Sequence, residues 1–221
     1  MFIGHYGVAL GAKKINNAPS LGTLFLASQF IDLLWPVFIL IGIEKVKVEP
    51  GNTAFTPLNF VSYPYSHSLL AVMIWAILFG LVYFFIKKDL KNSILLGRLV
   101  LSHWFLDLIV HQPDLQIFPW DHLRVGFGLW NSVIFTIIIE GLIFLTGAYL
   151  YFKSTKERSK KGSIGIWSLL IFLVIVYFLN LFSSPPQSEN IIAVVGLFMW
   201  LIVAWAYWID KDRTRIDVIK Q

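Results

Sequence analysis

The chain has no cysteine in its 221 residues, so disulfides, thiolate metal sites and cysteine nucleophiles are excluded. Charge is also scarce. Asp, Glu, Lys and Arg make up 14% of the sequence, against about 25% in soluble domains. Hydrophobic residues reach 57%, which excludes an ordinary soluble domain and points to an all-α integral membrane protein. The net charge of +5 calls for no nucleic acid, because cytoplasmic loops of membrane proteins collect Lys and Arg. The expected partner is the lipid bilayer. No cleavable signal peptide is expected, since residues 1–12 lack a basic leader and Lys13 and Lys14 follow the apolar stretch instead of preceding it.

Apolar runs long enough to cross a bilayer, about 17–25 residues each, cover residues 21–43, 66–86, 93–111, 126–152, 164–182 and 191–209. They predict a six-helix transmembrane bundle. Of the 18 Lys and Arg, all but Lys45, Lys47, Arg124 and the intramembrane Arg98 fall at one set of span ends. That asymmetry predicts cytoplasmic N and C termini. Residues 1–12 are too short to cross, and Gly4, Gly7 and Gly11 give them a small-residue face for close helix packing. A half-inserted helix or hairpin arm is expected there. The polar connection 44–65 lies outside the membrane and is placed to cap a cavity. Residues 1–152 form the expected functional core, 153–163 a basic cytoplasmic linker, and 164–221 a C-terminal transmembrane hairpin with a cytoplasmic tail.

Polar residues inside these runs carry the chemistry. In "LSHWFLDLIVHQPD", His103, Asp107 and His111 recur every four residues and share one helix face. Each step rises about 6 Å, so neighbours can share an ion, whereas His103 and His111, about 12 Å apart, cannot. Asp32 comes from the first span, His67 from the start of the second, and His5 from the N-terminal segment. His5, Asp32 and His103 fall at similar depths, about 12–16 Å above the cytoplasmic edge. His67 starts its span near the outer surface, so its helix begins beneath the long loop or its ring closes the site from above. Ionisable groups in lipid cost roughly 2.5–3.5 kcal/mol each at the helix centre. Five of them on convergent segments predict a metal site of His5, Asp32, His67, His103 and Asp107, opening outward. Nitrogen and oxygen ligands without sulfur suit zinc first, with manganese or iron as alternatives. His111 and Asp114 are expected in catalytic roles, orienting ligands or moving protons. Two other classes stay open: a proton- or ion-coupled transporter, and a silent membrane scaffold with a structural metal.

At these residues the chain resembles bacterial inner-membrane proteins described as membrane-bound metal-dependent hydrolases. The matching elements are "GHYG" with Gly4 and His5, "DLLWP" with Asp32 and Pro36, "YPYSHS" with Ser66, His67 and Ser68, and "LSHWFLD" with Ser102, His103 and Asp107. Their order holds over about the first 115 residues. Leu34 and Trp35 stand where the family carries a second Asp and a His, and Ser62 replaces the first His of the third element. The resemblance implies hydrolysis by metal-activated water of an ester or phosphoester, on a small or lipid-like substrate. The lost positions imply one metal in place of two.

Elsewhere, Glu140 and Arg98 are read as an interhelical ion pair that avoids two lone charges in lipid. Residues 119–131, with Asp121, His122 and Arg124, are read as a solvated outer loop with interfacial Trp120 and Trp130.

Overall fold

The computed structural model describes residues 1–16 and 18–216. Lys220 of the basic tail therefore lies outside the described residues. Helices α1 (Ile3–Ile15), α2 (Leu21–Ser28) and α3 (Phe30–Leu40) lead into a β1–β2 hairpin (Lys45–Val48, Leu58–Ser62). After the short α4 (Pro64–His67) come α5 (Leu69–Lys87) and α6 (Leu90–Val110). A two-residue pair, β3 (Leu115–Gln116) with β4 (Arg124–Val125), then leads to α7 (Val133–Ser154). Strand β5 (Thr155–Glu157), α8 (Lys160–Phe182), α9 (Glu189–Leu197), α10 (Met199–Asp210) and β6 (Arg213–Arg215) complete the chain. Among the described residues, five helices are long and apolar enough to cross a membrane, with α9 and α10 running on as one of 22 residues. The bent pair α2–α3 makes up to six.

Helix starts follow capping chemistry where hydropathy alone misplaced them. Ser20, Ser68, Asp89, Ser132, Ser159 and Ser188 each accept a backbone N–H from three residues on, as N-caps do. The run expected from residue 126 therefore becomes α-helical only at Val133, after a 3-10 turn at Leu129–Asn131, because Gly128 adopts a positive φ of 71° and Ser132 caps behind it. The run expected from residue 66 is likewise divided, with Ser68 ending α4 and capping α5.

The run 21–43 is not one straight helix. It bends by 54° between α2 and α3. No Gly or Pro stands at the break, and Pro36 lies more than a turn beyond it. The Ser28 hydroxyl bonds back to the Phe25 carbonyl at 3.3 Å, a local competitor that bends helices, while the Ser28 carbonyl is taken by His103.

Helix α1 is enclosed, packing chiefly on α7 and α2. The glycine face does what its spacing suggests. A Cβ on Gly147 of α7 would stand 1.9 Å from the Gly7 carbonyl oxygen, and one on Gly7 would stand 2.7 Å from the Ile143 carbonyl. The two backbones touch. Glu140 on α7 accepts from the Phe2 and Gly4 amides at 2.9 and 3.3 Å, satisfying donors that every helix start leaves open. Arg98 is exposed, so the expected pairing with Glu140 is replaced by this cap.

The 153–163 segment is more than a linker. Its β5 pairs antiparallel with β6 of the tail, and Lys13 and Asp210 approach to 3.5 Å at the same end. At the opposite end the β1–β2 loop meets the 111–132 connection, with the Phe55 amide donating to the Trp130 carbonyl at 3.0 Å. The C-terminal helices pack against the earlier ones: α9 lies on α3 and α10 on α2.

Candidate metal centre

His5, Asp32, His67, His103 and Asp107 arrive from α1, α3, α4 and α6 and form two overlapping triads, His5–His103–Asp107 and Asp32–His67–His103, that share His103. His103 Nε2 lies 3.1 Å from Asp107 Oδ2 and 3.5 Å from Asp32 Oδ1. His67 Nε2 lies 3.5 Å from Asp32 Oδ1 and 3.8 Å from Asp107 Oδ2. His5 Nε2 lies 3.1 Å from Asp107 Oδ1, and its ring stacks on that of His103, centroids 3.8 Å apart. The side chains are nearly inaccessible except Asp32, at 21% exposure, which makes it the most open member of the cluster.

The separations test whether a metal fits. Ligand bonds of about 2.0–2.2 Å in a tetrahedral site put ligand atoms on the order of 3.3–3.6 Å apart. The five distances straddle that range. His103 Nε2 is fully buried and faces both carboxylates, Asp107 Oδ2 and Asp32 Oδ1. Two carboxylates, Asp32 and Asp107, gather here, and the Met1 ammonium already pairs with Asp107 Oδ1. The donor set fits a divalent ion.

Hydrogen bonds behind the rings set their tautomers. His103 Nδ1 is 2.9 Å from the Ser28 carbonyl. A carbonyl only accepts, so Nδ1 carries the proton, and in the neutral ring the lone pair falls on Nε2. His67 is oriented through two residues. The Ser66 hydroxyl donates to Glu44 Oε2 at 2.6 Å, and His67 Nδ1 then donates to Ser66 Oγ at 2.7 Å. Glu44 Oε1 accepts the Tyr65 and Ser66 amides at 2.8 and 2.7 Å. Burial raises the Glu44 carboxyl above its ordinary pKa of 4.5, against the lowering effect of those bonds. This Glu44–Ser66–His67 chain is the outer support that metal-binding imidazoles need. Sequence offered no signal for it, because Glu44 precedes Lys45 at a span end and reads as a solvated turn.

His67 is 3% exposed despite beginning a span, because α4 starts under the β1–β2 hairpin. His111 and Asp114 form a separate group. His111 Nδ1 and the Tyr63 hydroxyl lie 2.9 and 2.5 Å from Asp114 Oδ1. Burial and the Asp114 charge hold the Tyr63 phenol well above its ordinary pKa, so it stays a donor. His111 lines the same cavity as Asp32, His67 and Asp107, while Asp114 borders a shallow polar cleft with Arg124 and Gln112.

That cavity holds about 820 Å³. Asp32, His67 and Asp107 lie on one wall, Phe55 and Phe60 of the hairpin cover it, and α8–α10 supply the facing wall. Compared with protein-family models, curated proteins and solved structures, the chain matches none.

Trp35, where the resemblance would place a His, sits in the cavity wall with its ring centroid 6.3 Å from His67 and 5.4 Å from Phe60. An indole there supplies bulk and no lone pair.

Proposed function

We propose that the chain is a metal-dependent hydrolase of the bacterial inner membrane, with six spans, a half-inserted α1, and both termini cytoplasmic. One observation carries this reading: three imidazoles and two carboxylates from four helices converge at ligand spacing beside a cavity. Interhelical hydrogen bonding needs far less, since Ser, Thr or Asn serve without the insertion cost of charge.

In this reading His5, Asp32, His67, His103 and Asp107 hold one divalent ion, zinc first and manganese or iron next. Bound there, the ion would supply a water of near-neutral pKa and polarise an ester or phosphoester oxygen. The chain does the rest. Ser28 and the Glu44–Ser66 pair hold the His103 and His67 rings in their ligand tautomers. Asp114 fixes His111 through Nδ1, leaving Nε2 to take or return a proton at the cavity wall. The β1–β2 hairpin excludes bulk water. Fully buried Leu10, Leu24, Phe25 and Leu96 fill the cytoplasmic half of the bundle, which argues against an ion pathway and for a site reached from the outer side.

The test is elemental analysis of protein purified after zinc-replete expression, alongside His103→Ala and an ester panel. One transition metal per chain, lost together with hydrolysis in the variant, supports the proposal. Wild-type protein without stoichiometric metal overturns it.

A further inference from the structure

The cavity is longer and greasier than metal-assisted hydrolysis of a small ester needs. From Ser183 at its outer rim to Phe172 it follows α8 for about 17 Å at the helical rise. Its far end is closed by Phe172 and Trp205, whose ring centroids are 5.6 Å apart. Val176 and Ile202 line the stretch between. The other wall carries Asp32, His67 and Asp107. The space is therefore amphipathic, polar on one side and apolar along its length.

Its mouth is informative as well. Val195, Phe198 and Leu201 line the cavity and are also 58%, 58% and 63% exposed. They belong to the α9–α10 helix, which is long and apolar enough to face lipid. A water-soluble ligand gains nothing from an apolar side entrance, whereas a lipid reaches it without leaving the bilayer.

We propose that this cavity is an acyl-chain site, and that the ligand is an ester-linked lipid lying with its ester at the His/Asp wall and its chain along α8 and α10. This rests on the hydrolase reading for the placement of the ester, though not for the chain site itself. An extended chain advances about 1.25 Å per carbon for bonds near 1.5 Å, so the 17 Å channel takes about a dozen carbons. The C-terminal helices thereby gain a role that their lack of ionisable residues within the spans suits: they are the half of the site that recognises hydrocarbon.

The experiment is photocrosslinking in nanodiscs with a twelve-carbon lysophospholipid carrying a diazirine at the chain terminus, adducts being mapped by mass spectrometry. Adducts concentrated on Phe172, Val176, Ile202 and Trp205, and lost in Val176→Trp, support the site. Leu201→Trp, an exposed position at the mouth, gives a second variant that narrows entry without loading the core. Adducts spread over lipid-facing residues such as Ile77, Phe85 and Ile134, and unchanged in both variants, overturn it. Metal content is read on the same samples. Wild type without metal but with the localised adducts sinks the hydrolase reading and leaves the chain site standing; metal-loaded protein with scattered adducts does the reverse.

Discussion

Replacing Glu44 by Gln changes one atom's chemistry two hydrogen bonds from the metal cluster, and its consequence can be followed bond by bond. Glu44 is 1% exposed. Its Oε1 takes two backbone amides and its Oε2 the Ser66 hydroxyl. The glutamine oxygen must stay with the two amides, because an NH2 there would face two donors. The new NH2 then points at Ser66 Oγ and donates. Ser66 can no longer give its proton in that direction and turns it to His67 Nδ1. His67 is thereby forced to carry its own proton on Nε2, the atom aimed at Asp32 and Asp107. A ligand lone pair becomes a donor. Loss of such outer support costs about 10–100-fold in metal affinity, which is about 1.4–2.8 kcal/mol. The fold should be little affected, since all three contacts find a partner of some kind. Glu44→Ala, by contrast, leaves the Tyr65 and Ser66 amides without an acceptor, at about 1–3 kcal/mol for a buried donor, and should destabilise the protein measurably. The assay is zinc competition titration of detergent-solubilised protein, with imidazole nitrogen shifts reporting the His67 tautomer. Unchanged zinc affinity in Glu44→Gln, or a His67 still protonated on Nδ1, would refute the reasoning.

Chelation of the metal should lower the melting temperature, since a ligand at a thousand times its Kd stabilises by about 4 kcal/mol; identical melting curves with and without chelator would contradict a bound ion. Gly147→Ala should prevent stable folding or displace α1, because the new Cβ meets backbone oxygen at 1.9 Å, while Gly141→Ala on the same helix meets nothing within 4 Å and should be neutral to slightly stabilising; thermal unfolding of the pair checks this. Burial makes ionised Glu44 less favourable in the fold than in the unfolded chain, so its contribution is most favourable below pH 4.5 and declines as pH rises through the raised value; Glu44→Gln should flatten that decline in melting temperature against pH. The cysteine-free chain permits a direct topology test: a thiol at Thr53 should label from outside intact cells and one at Lys156 should not, and the opposite pattern would invert the orientation.

Much of the architecture follows from local pattern. Long apolar runs are visible as such because every residue in them must satisfy lipid or core, and the basic residues at alternate ends are an electrostatic signal independent of packing. His103 and Asp107 were paired by helical period alone. Residues at polar junctions were harder. Glu44, Tyr63 and the role of Glu140 depend on which distant groups fold over them, and nothing within a few residues of each announces a partner 22, 51 or 138 positions away. The bend at Gln29 was equally hidden, for it lacks the Pro or Gly that marks most kinks. The division at residue 152 also follows from composition, which weighs ionisable residues and is blind to cavity walls made of hydrocarbon; α8–α10 line the cavity all the same.

Sequence alone determined that this chain is helical, apolar enough for a membrane, incapable of thiol chemistry, and furnished with imidazoles and carboxylates at matching depths. Those properties belong to residue types and their spacing along one strand of polymer. Tertiary structure decided that the five groups cluster around His103, which hydrogen bonds hold the His67 and His103 rings, and what lies opposite them. Such facts depend on α1 docking against α7 and on α2 and α3 parting at Gln29, events between segments far apart in the chain, whose distance in space no periodicity can encode.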